Sequence, residues 1–264
     1  MKIDFHVHLF PDEVARKAIP ELARRAGRGP YTDGTLSGTT RKFKESKVDG
    51  FVVLSIATNP KQQKNVNDFA IKLKNEGLTA FGSVHPEAPD KLEELHRIRA
   101  AGLSGLKLHP VYQNFVINDR SMYPVYDYCE AAGLPICFHA GVDVGFPDDR
   151  SAFPEFYADI IRDFPGLKVI FAHLGGYKAW DDVYSFIAGK GREVYFDTAA
   201  INWTIDRDFA VRIIEKHGAD RILMGSDCPW DDPKNAADFI DSLKLSDGKK
   251  DMIFSLNAKR LLKI

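Results

Sequence analysis

Short apolar segments alternate along the chain with longer segments that carry apolar residues at helical spacing. The apolar segments are rich in β-branched and aromatic residues, which is typical of buried strands. From Gly50 onward they begin about 25 to 35 residues apart, the spacing of β-α units. We predict strands at residues 2–8, 50–56, 78–84, 103–109, 134–140, 167–173, 193–199 and 220–226.

Helices are predicted between these strands from their periodicity and end signals. Pro60 suits a first helical turn, and Gly77, Gly102 and Gly133 suit positions just past the end of a helix. The interval between the first two strands is longer and contains a Gly-rich segment at residues 27–40, which we expect to be a loop. Further helices are predicted at residues 12–26, 233–244 and 249–262.

The alternation of strands and helices favours a parallel sheet in an α/β fold. Eight β-α units match a (β/α)8 TIM barrel, and the 264 residues are close to the ~250 that one such barrel needs. We therefore predict a single domain over residues 1–264. The pattern leaves an open, doubly wound sheet as the alternative.

The charge balance gives no sign of a nucleic-acid or membrane partner, and the partner that we expect is a small-molecule substrate. The net charge is −1, from 36 basic and 37 acidic residues. No apolar run approaches the ~20 residues of a membrane span, and the start MKIDFHVHLF does not read as an export signal. Three widely spaced cysteines fit a reducing cytoplasm. Barrels of this kind often self-associate, so a homodimer is one expected form.

Histidine and aspartate side chains follow the predicted strands at their carboxyl ends, where active sites of (β/α)8 barrels lie. An open sheet would hold the first, fifth and eighth strands too far apart to share an ion, whereas closure brings the first beside the eighth. This placement favours the barrel. The residues are His6 and His8 on the first strand, His139 on the fifth, His173 on the sixth and Asp227 after the eighth.

His6 and His8 are two residues apart, so their imidazoles share one face of the strand. Two neutral imidazoles at this spacing can bind a zinc ion at ~2.0–2.1 Å. With His139 and Asp227 they form a predicted site for one divalent ion, zinc first, manganese or another divalent ion as alternatives. Three histidines and one aspartate leave a coordination position for water or substrate.

Several motifs of the chain resemble the amidohydrolase superfamily, in particular the branch that includes aminocarboxymuconate-semialdehyde decarboxylase and related lactonases and hydratases. The resemblance covers the whole chain. It rests on DFHVH (4–8), GLKLHP (105–110), CFHAG (137–141), FAHLGG (171–176), YFDTAA (195–200), GSDCPW (225–230) and NAKRLL (257–262).

The resemblance implies roles for several of these residues. His6, His8, His139 and Asp227 match the family's metal ligands, and His173 matches a histidine that acts as a general acid or base beside the metal. An alternative for His173 is to orient a ligand or to bind a second ion.

Lys107 has two interpretations under this resemblance. In binuclear members a carboxylated lysine at this strand bridges two metals, whereas in the branch named above the KLHP motif usually accompanies one ion. We favour one ion, which makes Lys107 a buried cation near the substrate. Asp197, Arg150 and Trp230 are further candidates for substrate binding, and Asp197 could instead orient a ligand histidine.

The predicted activity is hydrolysis of a C–N bond, lactone or ester in a small molecule, with an activated water as nucleophile and with Asp227 or His173 moving protons. The alternative is non-oxidative decarboxylation of a small unsaturated or aromatic carboxylic acid at the same site. A third hypothesis, a non-catalytic metal-binding protein, is disfavoured because every expected ligand and His173 are present.

Overall fold

The computed structural model describes residues 1–264 and contains eight β-strands. Each strand lies within one of the eight predicted segments, so the strand predictions are confirmed. In chain order they are β1 (Ile3–Val7), β2 (Gly50–Leu54), β3 (Thr79–Phe81), β4 (Leu106–Leu108), β5 (Ile136–Phe138), β6 (Val169–Phe171), β7 (Val194–Asp197) and β8 (Ile222–Leu223).

Helices connect these strands. Gly133 adopts a left-handed conformation with φ of 64° directly after α6, as its predicted place past the helix end requires. The α-helices are α1 (Asp12–Ala26), α2 (Leu36–Ser46), α3 (Gln63–Asn75), α4 (Lys91–Ala100), α5 (Pro110–Gln113), α6 (Tyr123–Ala132), α7 (Tyr157–Asp163), α8 (Trp180–Asp182), α9 (Arg207–His217), α10 (Pro233–Ser242), α11 (Asp247–Asp251) and α12 (Asn257–Leu262).

One part of the predicted loop at residues 27–40 is helical, which corrects that prediction. Helix α2 begins at Leu36 because the hydroxyl of Thr35 accepts a hydrogen bond from the amide of Gly38 at 3.0 Å and caps the helix. The helix then buries one face, including Phe43. Burial of this face stabilises a segment whose Gly and Thr residues have low helix propensity.

The chain forms two compact units, of which the first comprises Met1–Val53 and Asp197–Ile264. In this unit β1 pairs in parallel with β2, with Ile3 opposite Gly50. The other side of β1 meets the β8 segment, where the amide of Phe5 donates to the carbonyl of Met224 at 2.7 Å. β1 is therefore an interior strand, which explains why all five of its residues are buried.

The second unit, Leu54–Phe196, contains β3 to β6 and all of β7 except its last residue, Asp197. Strands β4, β5 and β6 pair in parallel without a register shift, and β6 continues in register with β7. Phe138 of β5 is fully buried and lies 6.0 Å from the ring of Phe171 on β6. Burial of one such side chain contributes about 1.5–3 kcal/mol to stability.

No helix of this structure has the length and apolar character that a membrane span requires. The prediction that residues 1–264 form one domain stays a prediction.

Candidate metal centre

Three side chains of the first unit converge at the carboxyl end of β1. The Nε2 atoms of His6 and His8 lie 3.4 and 3.1 Å from Oδ1 of Asp227. One ligand atom from each residue can be chosen so that all three lie within 4.8 Å of one another. Two imidazole nitrogens and a carboxylate oxygen are the donor set that zinc and manganese accept, so these residues fit a divalent ion.

Backbone pairing explains why His6, His8 and Asp227 meet. The amide of Asp227 donates to the carbonyl of His6 at 2.9 Å, and the amide of His8 donates to the carbonyl of Cys228 at 2.7 Å. Asp227 has a φ of 71°, an uncommon conformation for a residue other than glycine. Such conformations concentrate at functional sites, and this one turns the chain where β8 gives way to its loop.

Asp197 lies behind His6 at the end of β7. Its Oδ2 atom is 2.8 Å from Nδ1 of His6, and both side chains are almost fully buried. Its Oδ1 atom accepts a hydrogen bond from the amide of Ala199 at 3.0 Å. The carboxylate therefore accepts the Nδ1 proton of His6 and leaves Nε2 as the nitrogen that faces Asp227.

Asp4 connects the two segments that carry the ligands. Its Oδ1 atom accepts hydrogen bonds from the amides of His6 at 3.0 Å and Ser226 at 2.9 Å. Burial raises the pKa of Asp4 to about 7, although these hydrogen bonds oppose the rise. Asp4 is not among the predicted site residues, but its position two residues before His6 places it on the same face of the strand.

The second unit contains a histidine cluster of its own. His139 Nδ1 lies 3.1 Å from Nε2 of His173, and the ring of His109 stacks on His139 with 4.1 Å between centroids. Burial, with His109 and His173 nearby, holds the pKa of His139 well below its usual 6.5, so its ring is neutral at pH 7. Its Nε2 atom is buried and has no hydrogen-bond partner. A neutral imidazole with an unpartnered nitrogen has the properties of a metal ligand.

His173 has a left-handed backbone conformation with φ of 60°, and its carbonyl accepts a hydrogen bond from the indole of Trp180 at 3.0 Å. Lys107 is 1% exposed, and its Nζ atom is 3.7 Å from Sγ of Cys137. Nε2 of His109 lies 3.4 Å from the carboxylate of Asp143, which is not among the predicted site residues. These groups form a second buried polar cluster at the ends of β4 to β6.

Two of the predicted substrate-binding residues lie in different surroundings. Arg150 is exposed and forms an ion pair with Glu155 at 3.2 Å, while its guanidinium lies 3.9 Å from the ring centre of Phe153. Trp230 is half-buried, and its amide donates to the carbonyl of Asp227 at 2.8 Å. Trp230 is thus held next to a predicted ligand, whereas Arg150 is engaged by its own surface neighbours.

Arg28, Trp203 and Asp231 are not among the predicted site residues and lie in the loops after α1, β7 and β8 of the first unit. Arg28 lies 3.4 Å from the ring centre of Trp203, and Asp231 is fully buried. Nothing in the sequence marks these residues, because a loop carries no periodicity that fixes where its side chains point.

Comparison with known proteins extends these observations. The sequence profile of the amidohydrolase family matches residues 3–264. A dihydroorotase from Azoarcus sp. (strain BH72) is 24% identical over 219 residues, which cover 78% of this chain and 57% of the relative. The chain therefore spans only about half the length of this curated relative.

Two solved structures match over nearly the whole chain. An uncharacterized TIM-barrel protein from Bordetella bronchiseptica has a TM-score of 0.78 and 18% identity, with 99% of this chain and 98% of the other covered. A dihydroxybenzoic acid decarboxylase from Polaromonas sp. JS666, solved with bound manganese and 2-nitroresorcinol, has a TM-score of 0.70 and 17% identity, with 99% and 96% covered.

These matches decide the fold and the family. The structural similarity shows the TIM-barrel fold, which confirms the predicted (β/α)8 class over the open sheet. The profile match covers the motifs on which the resemblance rested, so the family prediction is confirmed as well. The protein belongs to the amidohydrolase family and has its TIM-barrel fold.

Proposed function

We propose that the protein is a metal-dependent hydrolase that cleaves a C–N, lactone or ester bond of a small molecule. The observation that carries this proposal is the convergence of His6, His8 and Asp227, with Asp197 fixing the ring of His6. A divalent ion bound there would supply an activated water at neutral pH and would polarise the substrate's oxygen.

In this proposal His6 and His8 bind the metal ion as neutral imidazoles, each through the lone pair of its Nε2 atom. The Nδ1–H of His6 points to Asp197, so the tautomer that exposes the Nε2 lone pair is the stable one. Zinc is the first candidate ion, and manganese is the alternative that the similar decarboxylase supports. His139 stays a predicted ligand, and its neutral ring with an unpartnered Nε2 supports that assignment.

Asp227 and His173 are proposed to move protons. The side chain of Asp227 keeps 16% of its surface exposed, so a water molecule can reach it and give up a proton to the carboxylate. An imidazole can both accept and donate a proton during a reaction, which suits His173 as the group that donates a proton to the leaving atom. Lys107, Asp197 and Trp230 remain proposed contacts of the substrate or its ligands.

Decarboxylation of a small aromatic or unsaturated acid is the second candidate. Members of this family include both hydrolases and decarboxylases, and the similar structure from Polaromonas is a decarboxylase matched over nearly its whole length. The curated relatives are dihydroorotases, of which the chain covers a smaller share. We also propose that the protein is cytoplasmic, that it forms a homodimer and that it binds neither nucleic acid nor membranes.

The decisive experiment measures metal content and turnover together. Purified protein is stripped, reloaded with zinc or manganese, and assayed on dihydroorotate and simple lactones for hydrolysis and on dihydroxybenzoic acid for CO2 release. His6→Ala and Asp227→Asn should lose bound metal and turnover, whereas Asp238→Asn, which alters only an exposed pair with Lys234, should keep both. Full metal occupancy in His6→Ala would contradict the ligand assignment, and CO2 release without hydrolysis would favour the second candidate.

A further inference from the structure

We propose that His109 is a positioning residue, whose ring stacks on the predicted metal ligand His139 and holds it in the orientation that binds the ion. This inference rests on the proposed function and adds to it a residue that is not among the predicted site residues. It is drawn from the pairing of β4 with β5, from the stacking of the two rings and from the contacts that fix His109.

His109 and His139 follow two paired strands at the same level. β4 and β5 are parallel, with Leu108 opposite Phe138. The pairing continues for one more step, since the amide of His139 donates to the carbonyl of Leu108 at 3.0 Å. Neighbouring strands lie about 4.8 Å apart, and residues at the same level point to the same side of the sheet. The register therefore places the two imidazoles next to each other.

The two rings are stacked in parallel. Their centroids are 4.1 Å apart, and their planes differ by 6°. The last torsion angle of a histidine side chain has a broad distribution, so the rotamer alone does not fix the plane of the imidazole. His109 covers one face of the His139 ring, and Nε2 of His173 lies 3.1 Å from its Nδ1 atom. These two contacts restrict rotation of the ring, so that its buried, unpartnered Nε2 atom keeps one direction.

Hydrogen bonds hold His109 in place. Its Nδ1 atom accepts a hydrogen bond from the amide of Tyr112 at 3.3 Å, which caps α5. Its own amide donates to Oε1 of Gln113 at 2.8 Å. Nε2 of Gln113 donates in turn to the carbonyls of Ala57 and Val84, at 2.8 and 2.9 Å. The ring of His109 is thus attached to the backbone that follows β2 and β3, and it forms a rigid support.

The tautomer of His109 favours a supporting role over a role as a further metal ligand. One side-chain atom each of His109, His139 and Asp143 lie within 4.8 Å of one another, the spacing of a metal site. Because Nδ1 of His109 accepts the amide of Tyr112, the proton of its neutral ring is on Nε2, 3.4 Å from Oδ2 of Asp143. A protonated nitrogen has no lone pair for an ion. Asp143 is itself fixed, since its Oδ1 atom accepts from the amide of Gly145 at 2.7 Å.

The test separates the ring of His109 from its hydrogen bond. His109→Asn keeps an oxygen that can cap α5 but removes the ring, whereas His109→Phe keeps a ring that can stack but removes the cap. Each variant is stripped of metal and measured for zinc affinity by competition with a chromophoric chelator, and for stability by urea unfolding. His96→Asn is the matched control, because His96 is an exposed residue of α4 whose ring also contacts an aromatic ring, that of Tyr128, with 4.6 Å between centroids.

His109→Asn should bind zinc about 10- to 100-fold more weakly than wild type, the usual loss when the support of a metal ligand is removed. His109→Phe should retain most of the zinc affinity, although the loss of the cap makes it the less stable of the two variants. His96→Asn should match wild type in both measurements. A purely structural role would give the opposite order, with tighter zinc binding by the more stable variant. That order, an equal loss in both variants, or wild-type affinity in His109→Asn would overturn the proposal.

A measurement on metal-free protein distinguishes the failure of this proposal from that of the proposed function. In NMR spectra of protein with isotope-labelled histidine, the ring of His139 should give one set of signals in wild type and in His109→Phe. Broadened or additional signals are expected in His109→Asn. If this pattern is found but wild-type protein binds no zinc, the proposed function fails, and the support of the His139 ring by His109 stands. If wild-type protein binds zinc and the His139 signals are unchanged in His109→Asn, the positioning role fails and the proposed function stands.

Discussion

The carboxylate of Asp197 lies 2.8 Å from Nδ1 of His6, and both side chains are removed from solvent. Asp197 is the last residue of β7, and His6 is on β1. A buried carboxylate that accepts the Nδ1 proton keeps the imidazole in one tautomer and one orientation. The arrangement supports the proposal that Asp197 positions the predicted metal ligand His6, which is one of the two roles considered for Asp197 in the sequence analysis.

Asp197→Asn should therefore weaken metal binding without removing it. An amide oxygen can still accept the Nδ1 proton, but it lacks the charge that makes the imidazole a better donor. The expected loss is about 10- to 100-fold in metal affinity, measured by competition with a chromophoric chelator. Asp208→Asn, which alters an exposed pair with Lys244, is the control and should bind metal as wild type does. Wild-type affinity in Asp197→Asn would show that this contact does not support the site.

Asp4 gives a second prediction, about stability. Asp4→Ala removes the acceptor for the amides of His6 and Ser226 and leaves both buried, at a cost of about 1–3 kcal/mol for each group. Asp4→Asn keeps an oxygen that can accept both hydrogen bonds, so its loss should be much smaller. Urea unfolding of the two variants measures the difference. Equal destabilisation by Ala and Asn would mean that the charge of Asp4, and not its acceptor oxygen, stabilises this part of the fold.

Some parts of the fold and of the candidate site can be predicted from the sequence, and others cannot. The strands were predictable because apolar runs such as GFVVLSI at residues 50–56 are buried on both faces. His6 and His8 were recognisable because a period of two places both on one side of β1. The contact between Arg28 and Trp203 was not, since Trp203 lies far along the chain in a loop without periodicity. Helix α2 was missed in part because its cap and its burial outweigh unfavourable local propensities.

His173 provides a test of catalysis separate from metal binding. His173→Asn should retain the bound ion while lowering turnover by about 10²- to 10⁴-fold, the usual contribution of a general acid or base. Metal analysis and steady-state kinetics on the same preparation give both values. His96→Asn is a suitable control, because His96 is an exposed residue of α4. Normal turnover in His173→Asn would exclude His173 as the proton donor, and loss of the ion would place it among the ligands.

The buried carboxyl group of Asp231 predicts that the free energy of unfolding depends on pH. Burial raises its pKa from 3.8 to about 6, and its Oδ2 atom is buried without a hydrogen-bond partner. As pH rises from about 4 to 6, the unfolded chain loses this proton before the folded protein does. The free energy of unfolding therefore falls with rising pH across this window, and the loss is complete above about pH 6.

Asp231→Asn should remove this dependence, because its oxygen can still accept from the amide of Asp232 and from Asn235 but no longer titrates. Relative to the variant, wild-type protein should lose on the order of 1–3 kcal/mol of stability between pH 4 and pH 6.5. Urea unfolding across this range measures the difference, and groups shared by both proteins cancel in it. Because Arg28 lowers the pKa of Asp231, Arg28→Gln should shift the window to higher pH. Parallel stability curves for wild type and Asp231→Asn would show that the buried carboxyl group does not hold its proton in the folded state.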